Sequence, residues 1–230
     1  MEIATQPHEP PLILLSGMSA GERLFRYQKA AFPNLIVPSW IEPEPKERLS
    51  DYAERLARLI DPGVPCFVGG ASFGGIVALE MVPHLQAMAC FLIGSIRSPD
   101  QLPWQMRLFR PLSRLTPDQF AQLTALCLRL SKPSLPGRAY RQLGRYAEPN
   151  ANFLRWATLA VSAWKSQLPG TTPVYHIHGE LDRTLPVRLT TPNVIVRGGD
   201  HMLPWTFPEQ INAFLRERMR SCLLRQQCGS

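Results

Sequence analysis

Six short apolar runs recur along the chain: Leu12 to Ser16, Asn34 to Pro38, Pro65 to Gly70, Ala89 to Gly94, Val174 to His178 and Asn193 to Arg197. Each is built of Val, Ile, Leu, Phe or Cys with little polar alternation. Strands read this way when helices bury both of their faces. Between the runs the spacing becomes helical. Over Glu47 to Ile60, the residues Leu49, Tyr52, Ala53, Leu56 and Leu59 fall on one stripe, and Asp61-Pro62-Gly63 stops the helix. A second helical pattern, Gly74 to Gln86, follows the third run directly. A third, Pro208 to Leu224, closes the chain with Ile211, Phe214, Leu215 and Met219 as its core stripe. Strands alternating with helices predict βαβ units, hence an α/β fold with a mostly parallel sheet of about six strands.

From Arg97 to Gln167 the alternation stops. This stretch has helical pieces but no strand pattern, and prolines from Pro99 to Pro149 punctuate it. Thr116-Pro117-Asp118 has the form of a helix start, with Pro at the first position. Asn150 or Asn152 begins another helix carrying Phe153, Trp156, Ala157, Ala160 and Trp164. An all-helical insertion between the fourth and fifth strands reads as a cap, residues 97–167, within a single domain of residues 1–230.

Composition narrows the class. The chain has 230 residues, 45% hydrophobic and 19% charged, enough for one sizeable core and unlike a disordered segment. Met1 to Pro10 lacks a basic and apolar leader pattern, and no apolar run is long enough to span a bilayer. The expectation is a cytoplasmic protein without stable membrane insertion. The five cysteines are odd in number and form no CxxC pair, so neither a disulfide framework nor a zinc site is indicated. The net charge is +7, with a cluster at Arg216, Arg218, Arg220 and Arg225. Solvated helix faces account for it, since no nucleic-acid module or interleaved aromatic pattern accompanies the arginines.

The chemistry concentrates at Gly69-Gly70-Ala71-Ser72-Phe73-Gly74-Gly75. Gly70 to Gly74 fits G-x-S-x-G, with a strand before it and a helix after it, the context a nucleophile elbow requires. A serine hydroxyl is a weak nucleophile and needs a base. His201 follows the last strand in Gly198-Gly199-Asp200-His201, at the same carboxyl rim of the sheet as Ser72. His8 lies in the N-terminal tail and His84 late in a helix, while His176 and His178 lie within the fifth strand in structural positions. A carboxylate should orient the base. Asp182, just beyond that strand, suits this better than Glu180, because a few residues of loop let it turn back. Asp200 adjoins His201 and diverges from it, and Asp100 beyond the fourth strand is a weaker alternative. Backbone N–H groups of Phe73 and Met18, the latter in Ser16-Gly17-Met18-Ser19, would form an oxyanion hole.

Taken together, Ser16-Gly17-Met18, the elbow, His178-Gly179 with Asp182, and Gly199-Asp200-His201 make residues 12–220 resemble the α/β-hydrolase superfamily. The likeness is to small bacterial esterase-like members with a helical cap. It implies the chain order Ser, Asp, His. This chain departs from the family in that the usual first two strands are missing or reduced to a fragment near Ile3, which should truncate the sheet on that side. Many relatives carry His-Gly where this chain has Ser16-Gly17. The residues expected near the pocket are apolar: Phe25, Trp104, Met106 and Met202, with Met18, Phe73, Leu108, Phe109 and Trp164. They suggest a small-molecule ester or thioester with an apolar acyl or alkyl group, cleaved through an acyl-enzyme on Ser72 with no metal or organic cofactor. The alternatives are an amide or carbon–carbon bond, acyl transfer, or a non-catalytic ligand receptor.

Overall fold

The computed structural model describes residues 9–18, 20–107, 119, 150–166 and 170–228. All six apolar runs form strands: β1 (Leu12–Leu15), β2 (Leu35–Ile36), β3 (Cys66–Ala71), β4 (Ala87–Ile93), β5 (Val174–Gly179) and β6 (Val194–Val196). They make one sheet in the order β2-β1-β3-β4-β5-β6, and every pairing is parallel.

Period-two alternation splits the core between the two faces of this sheet. Ile13, Leu15, Val68, Cys90 and Leu92 point to one face, where α2 (Leu49–Ile60), α3 (Phe73–Met81) and α5 (Ala151–Ala163) cover them. Leu12, Leu14, Phe67, Phe91, Ile93 and Ile177 point to the other. There α7 (Pro208–Cys228) contributes Ile211, Phe214, Leu215 and Met219, the stripe read from the sequence. Full burial of each large apolar side chain among these contributes roughly 1.5–3 kcal/mol, so the central strands anchor both halves of the core.

Helix α5 docks through aromatic rings. Tyr52 on α2 meets Trp156 at 4.3 Å between ring centroids, and the Trp156 indole donates to the Glu47 carbonyl oxygen at 2.9 Å. Asn150 caps α5, its side chain accepting from the N–H groups of Asn152 and Phe153 at 3.0 and 3.2 Å.

Helix α3 begins at Phe73 and gives way after Met81 to a 3₁₀ turn, Val82–His84. The 3₁₀ turn Glu22–Phe25, the α1 helix (Arg26–Ala31) it runs into and α6 (Leu203–Thr206) lack a sequence signal, while the short α4 (Trp104–Arg107) falls among the helical pieces expected after Arg97. Of the predicted cap, the structure describes residues 97–107, 119 and 150–166. The Thr116–Asp118 helix start, Leu108, Phe109 and the fragment near Ile3 lie outside the described residues. Among the described residues no helix is long and apolar enough to cross a membrane.

Candidate active site

Strand β3 ends at Ala71 and α3 starts at Phe73, which leaves Ser72 alone to turn the chain. Its φ is 53° and its ψ −121°, a region that side-chain-bearing residues rarely occupy. Three bonds hold the turn: Ser72 N–H to the Ile93 carbonyl oxygen at 3.1 Å, Gly75 N–H to the Ser72 carbonyl oxygen at 3.0 Å, and Ser95 Oγ–H to that same oxygen at 2.7 Å. The flanking glycines are required by close approach. A Cβ on Gly70 would lie 2.6 Å from the Gly74 carbonyl oxygen, and one on Gly74 would strike the carbonyl oxygens of Leu15 and Ser16.

The turn that follows β6 brings His201 to this serine. His201 Nε2 is 2.9 Å from Ser72 Oγ, and Nδ1 is 2.7 Å from Asp182 Oδ2. With Nδ1–H donating to the carboxylate, Nε2 is left to accept the serine proton. Asp182 is buried, and its Oδ1 accepts from the N–H groups of Thr184 and Leu185 at 2.8 and 2.9 Å. Burial alone would raise its pKa. Hydrogen bonds from His178 and His201, the charge on His201 and the Leu185 N–H overcome that and hold the carboxyl well below its usual range. The side chain is thus a fixed anion beneath His201.

The other carboxylates considered are engaged elsewhere or lie apart. Glu180 accepts from the Gly198 N–H at 2.8 Å. Asp200 accepts from the Met202 N–H and the Thr206 hydroxyl, both at 2.9 Å. Asp100 sits in the 3₁₀ turn Pro99–Gln101.

The loop after β1 lies against Ser72, for a Cβ placed on Gly17 would be 3.8 Å from Ser72 Cβ. The Gly17 carbonyl oxygen accepts from the Ala20 N–H at 3.1 Å and from the Trp40 indole at 3.4 Å. In a trans peptide the carbonyl and the next N–H point opposite ways, so tying down this oxygen fixes the direction of the Met18 N–H. Phe73 N–H opens α3, at the positive end of that helix.

The expected pocket residues scatter. Phe25 is wholly buried among Leu24, Phe32 and the α7 stripe, so it lines no accessible space and is a core residue. The unforeseen 3₁₀ turn Glu22–Phe25 rotates it inward. Trp104 is 67% exposed on the surface. Met106 and Met18 are half-buried against the core face that carries α2 and α3, Met202 against the opposite face. Trp164 is buried, its indole donating to Glu80 at 2.8 Å.

A profile of the alpha/beta hydrolase family matches residues 12–214. The chain belongs to the alpha/beta hydrolase family. No curated protein matches it. Its fold is shared with an esterase from Thermogutta terrifontis solved with malate bound, at 16% identity, covering 93% of this chain and 90% of that one, with a TM-score of 0.66. It is also shared with epoxide hydrolases from metagenomes of hot environments, at 19% identity, 91% and 90% coverage and a TM-score of 0.64. The N-acyl homoserine lactonase AidH, solved with N-hexanoyl homoserine, aligns at 13% identity, 94% and 90% coverage and a TM-score of 0.63.

Two residues of this alpha/beta hydrolase that touch the site carry no functional signal in the sequence. Ser95 bonds the backbone of Ser72 from just beyond β4, and its place at the carboxyl rim is the one available hint. Trp40 touches Phe73 at 5.3 Å between centroids as well as bonding Gly17, from a loop without periodicity.

Proposed function

We propose that this alpha/beta hydrolase cleaves a carboxylic ester or thioester of a small molecule through an acyl-enzyme on Ser72. The observation that carries the reading is the unbroken line of hydrogen bonds from Ser72 Oγ through His201 to Asp182, on a serine held in a strained strand-to-helix turn. His201 takes the hydroxyl proton as Ser72 attacks the carbonyl carbon, and Asp182 balances the imidazolium. The N–H groups of Met18 and Phe73 stabilise the oxyanion. The proton returns through His201 to the leaving group. Water, activated by the same ring, then releases the acid. No metal or organic cofactor enters this cycle.

Some of the neighbours support the choice of bond. Two of the folds in the comparison belong to proteins described as an esterase and a lactonase, and a lactone is a cyclic ester. Epoxide opening in this fold uses an Asp nucleophile, and the elbow here carries Ser72.

A panel of 4-nitrophenyl esters of graded chain length tests the reading. Multiple turnovers are expected, abolished in Ser72→Ala. Stoichiometric binding without turnover would instead make the protein a receptor, and turnover unchanged in Ser72→Ala would remove the nucleophile.

A further inference from the structure

Period two along β5 puts residues 174, 176 and 178 on one face of the strand. That face carries two imidazoles in an otherwise apolar interior, and both are fully buried. The rings stand edge to face at 5.0 Å between centroids, with His176 Nε2 2.9 Å from His178 Nδ1. On its other side, His178 Nε2 lies 2.7 Å from the Leu185 carbonyl oxygen and 3.3 Å from Asp182 Oδ2.

For a neutral pair, counting protons fixes the tautomers. Both neighbours of His178 Nε2 are acceptors, so this nitrogen must bear a hydrogen. A neutral imidazole has one, so His178 Nδ1 is a lone pair. The contact with His176 is then a hydrogen bond when His176 Nε2 donates. That leaves His176 Nδ1 bare, and no hydrogen bond of good geometry reaches this nitrogen among the described residues, although the Ser95 backbone still acts on the ring. The opposite arrangement would set the His178 Nε2 lone pair against two oxygens, one of them charged.

We propose that His176 and His178 form a tautomer lock behind the triad, in which His178 Nε2–H steadies the Asp182 carboxylate and His176 keeps that hydrogen on Nε2 by occupying Nδ1. Both are positioning residues, since neither touches Ser72 Oγ or the substrate. The proposal rests on the reading of Ser72, His201 and Asp182 as one triad.

The surroundings keep the lock neutral at its far end. Burial, then His178 and Arg97, push the His176 ring down to about 3, with the Ser95 backbone opposing. Arg97 lies just beyond β4 and bonds the Val174 carbonyl oxygen at 3.0 Å and Asn193 Oδ1 at 2.9 Å. Cys90 on β4, its thiol pushed up to about 12 by burial, stays uncharged. The charged groups facing the pair are therefore Arg97 at one end and Asp182, with His201 behind it, at the other.

Imidazole ¹⁵N–¹H correlation spectra of the whole protein, labelled at histidine, read the tautomers directly. His176 and His178 are expected to show hydrogen on Nε2 and a bare Nδ1. His176→Gln and His178→Gln assign the signals. Hydrogen on Nδ1 of either ring, or a doubly protonated His178, overturns the lock. In 4-nitrophenyl ester hydrolysis, His178→Leu should lower kcat ~10- to 100-fold at near-constant KM. It should also move the acid limb of kcat/KM to higher pH, because Asp182 then gives His201 more of its charge. His178→Gln, whose amide can donate from the Nε2 position, should recover most of the rate. A folded His178→Leu with normal rate and limb, or a Gln variant no better than Leu, also overturns the lock. Fluorophosphonate labelling separates the layers. An unreactive Ser72 in the folded wild type sinks the triad reading, whereas labelling together with the wrong tautomers sinks the lock alone.

Discussion

Ser72 occupies a backbone conformation that costs on the order of 1–3 kcal/mol, and the bonds from Ile93, Gly75 and Ser95 offset it. The return is a hydroxyl lifted clear of the sheet edge and met by His201. In the proposed mechanism the two side chains share one proton and act as a unit. Ser72→Ala and His201→Ala should each lower kcat by about a thousandfold or more, with the double variant barely worse than either. Additive losses in steady-state kinetics would show that they work separately. Asp182→Asn should also lose about three orders of magnitude, since an amide cannot hold the same tautomer of His201. Glu180→Gln and Asp100→Asn should stay within about twofold, because Glu180 already serves the Gly198 N–H and Asp100 lies in a separate turn. The reverse ranking would reassign the acid.

Helix α5 shows how an element is held at its end and along its side. Asn150→Ala should cost about 1 kcal/mol, read as a lower urea midpoint with unchanged slope. An unchanged midpoint would mean that the aromatic contacts to Tyr52 and Phe73 alone position the helix. This cap was legible in advance, because an Asn before an apolar stripe has a local cause. The six strands were legible for the same kind of reason: burial on both faces leaves no room for polar positions. Helix α1 was not. Its inward residue is Gln28, which donates to Asn212 on α7 at 3.0 Å, so the buried face shows no apolar stripe. Within the site, Ser72, Asp182 and His201 could be read from the glycines around the elbow and from loops that leave one rim of the sheet. Trp40 and the inward turn of Phe25 could not, since each depends on a contact between segments distant in sequence or on an unsignalled turn. The proton geometry of His176 and His178 was likewise hidden, although their spacing of two already placed them on one strand face.

For the molecule as a whole, the buried His176 ties stability to pH. Its pKa falls from an ordinary 6.5 to about 3 on folding, with burial the main cause. Between those values the unfolded chain binds a proton that the folded chain refuses, so stability falls as pH drops. By about pH 4.5 the loss is roughly 2.5 kcal/mol, a sizeable part of the total stability of a typical domain. Asp182 is depressed instead, so its contribution is full down to about pH 5 and is lost progressively as pH falls through and below the ordinary aspartate range. His176→Gln should therefore flatten the decline in urea midpoint between about pH 7 and pH 4.5, and an equally steep decline would place the proton-sensitive group elsewhere.

The hydrogen bond between Ser72 and His201 joins positions 129 residues apart, and the chain must close that whole span before the two can meet. Helices and neighbouring strands form from nearer contacts and need not wait for it. On the proposed function, reactivity is thus a late acquisition of the nascent polypeptide: an incompletely assembled copy would carry a chemically silent serine until the last strand had docked.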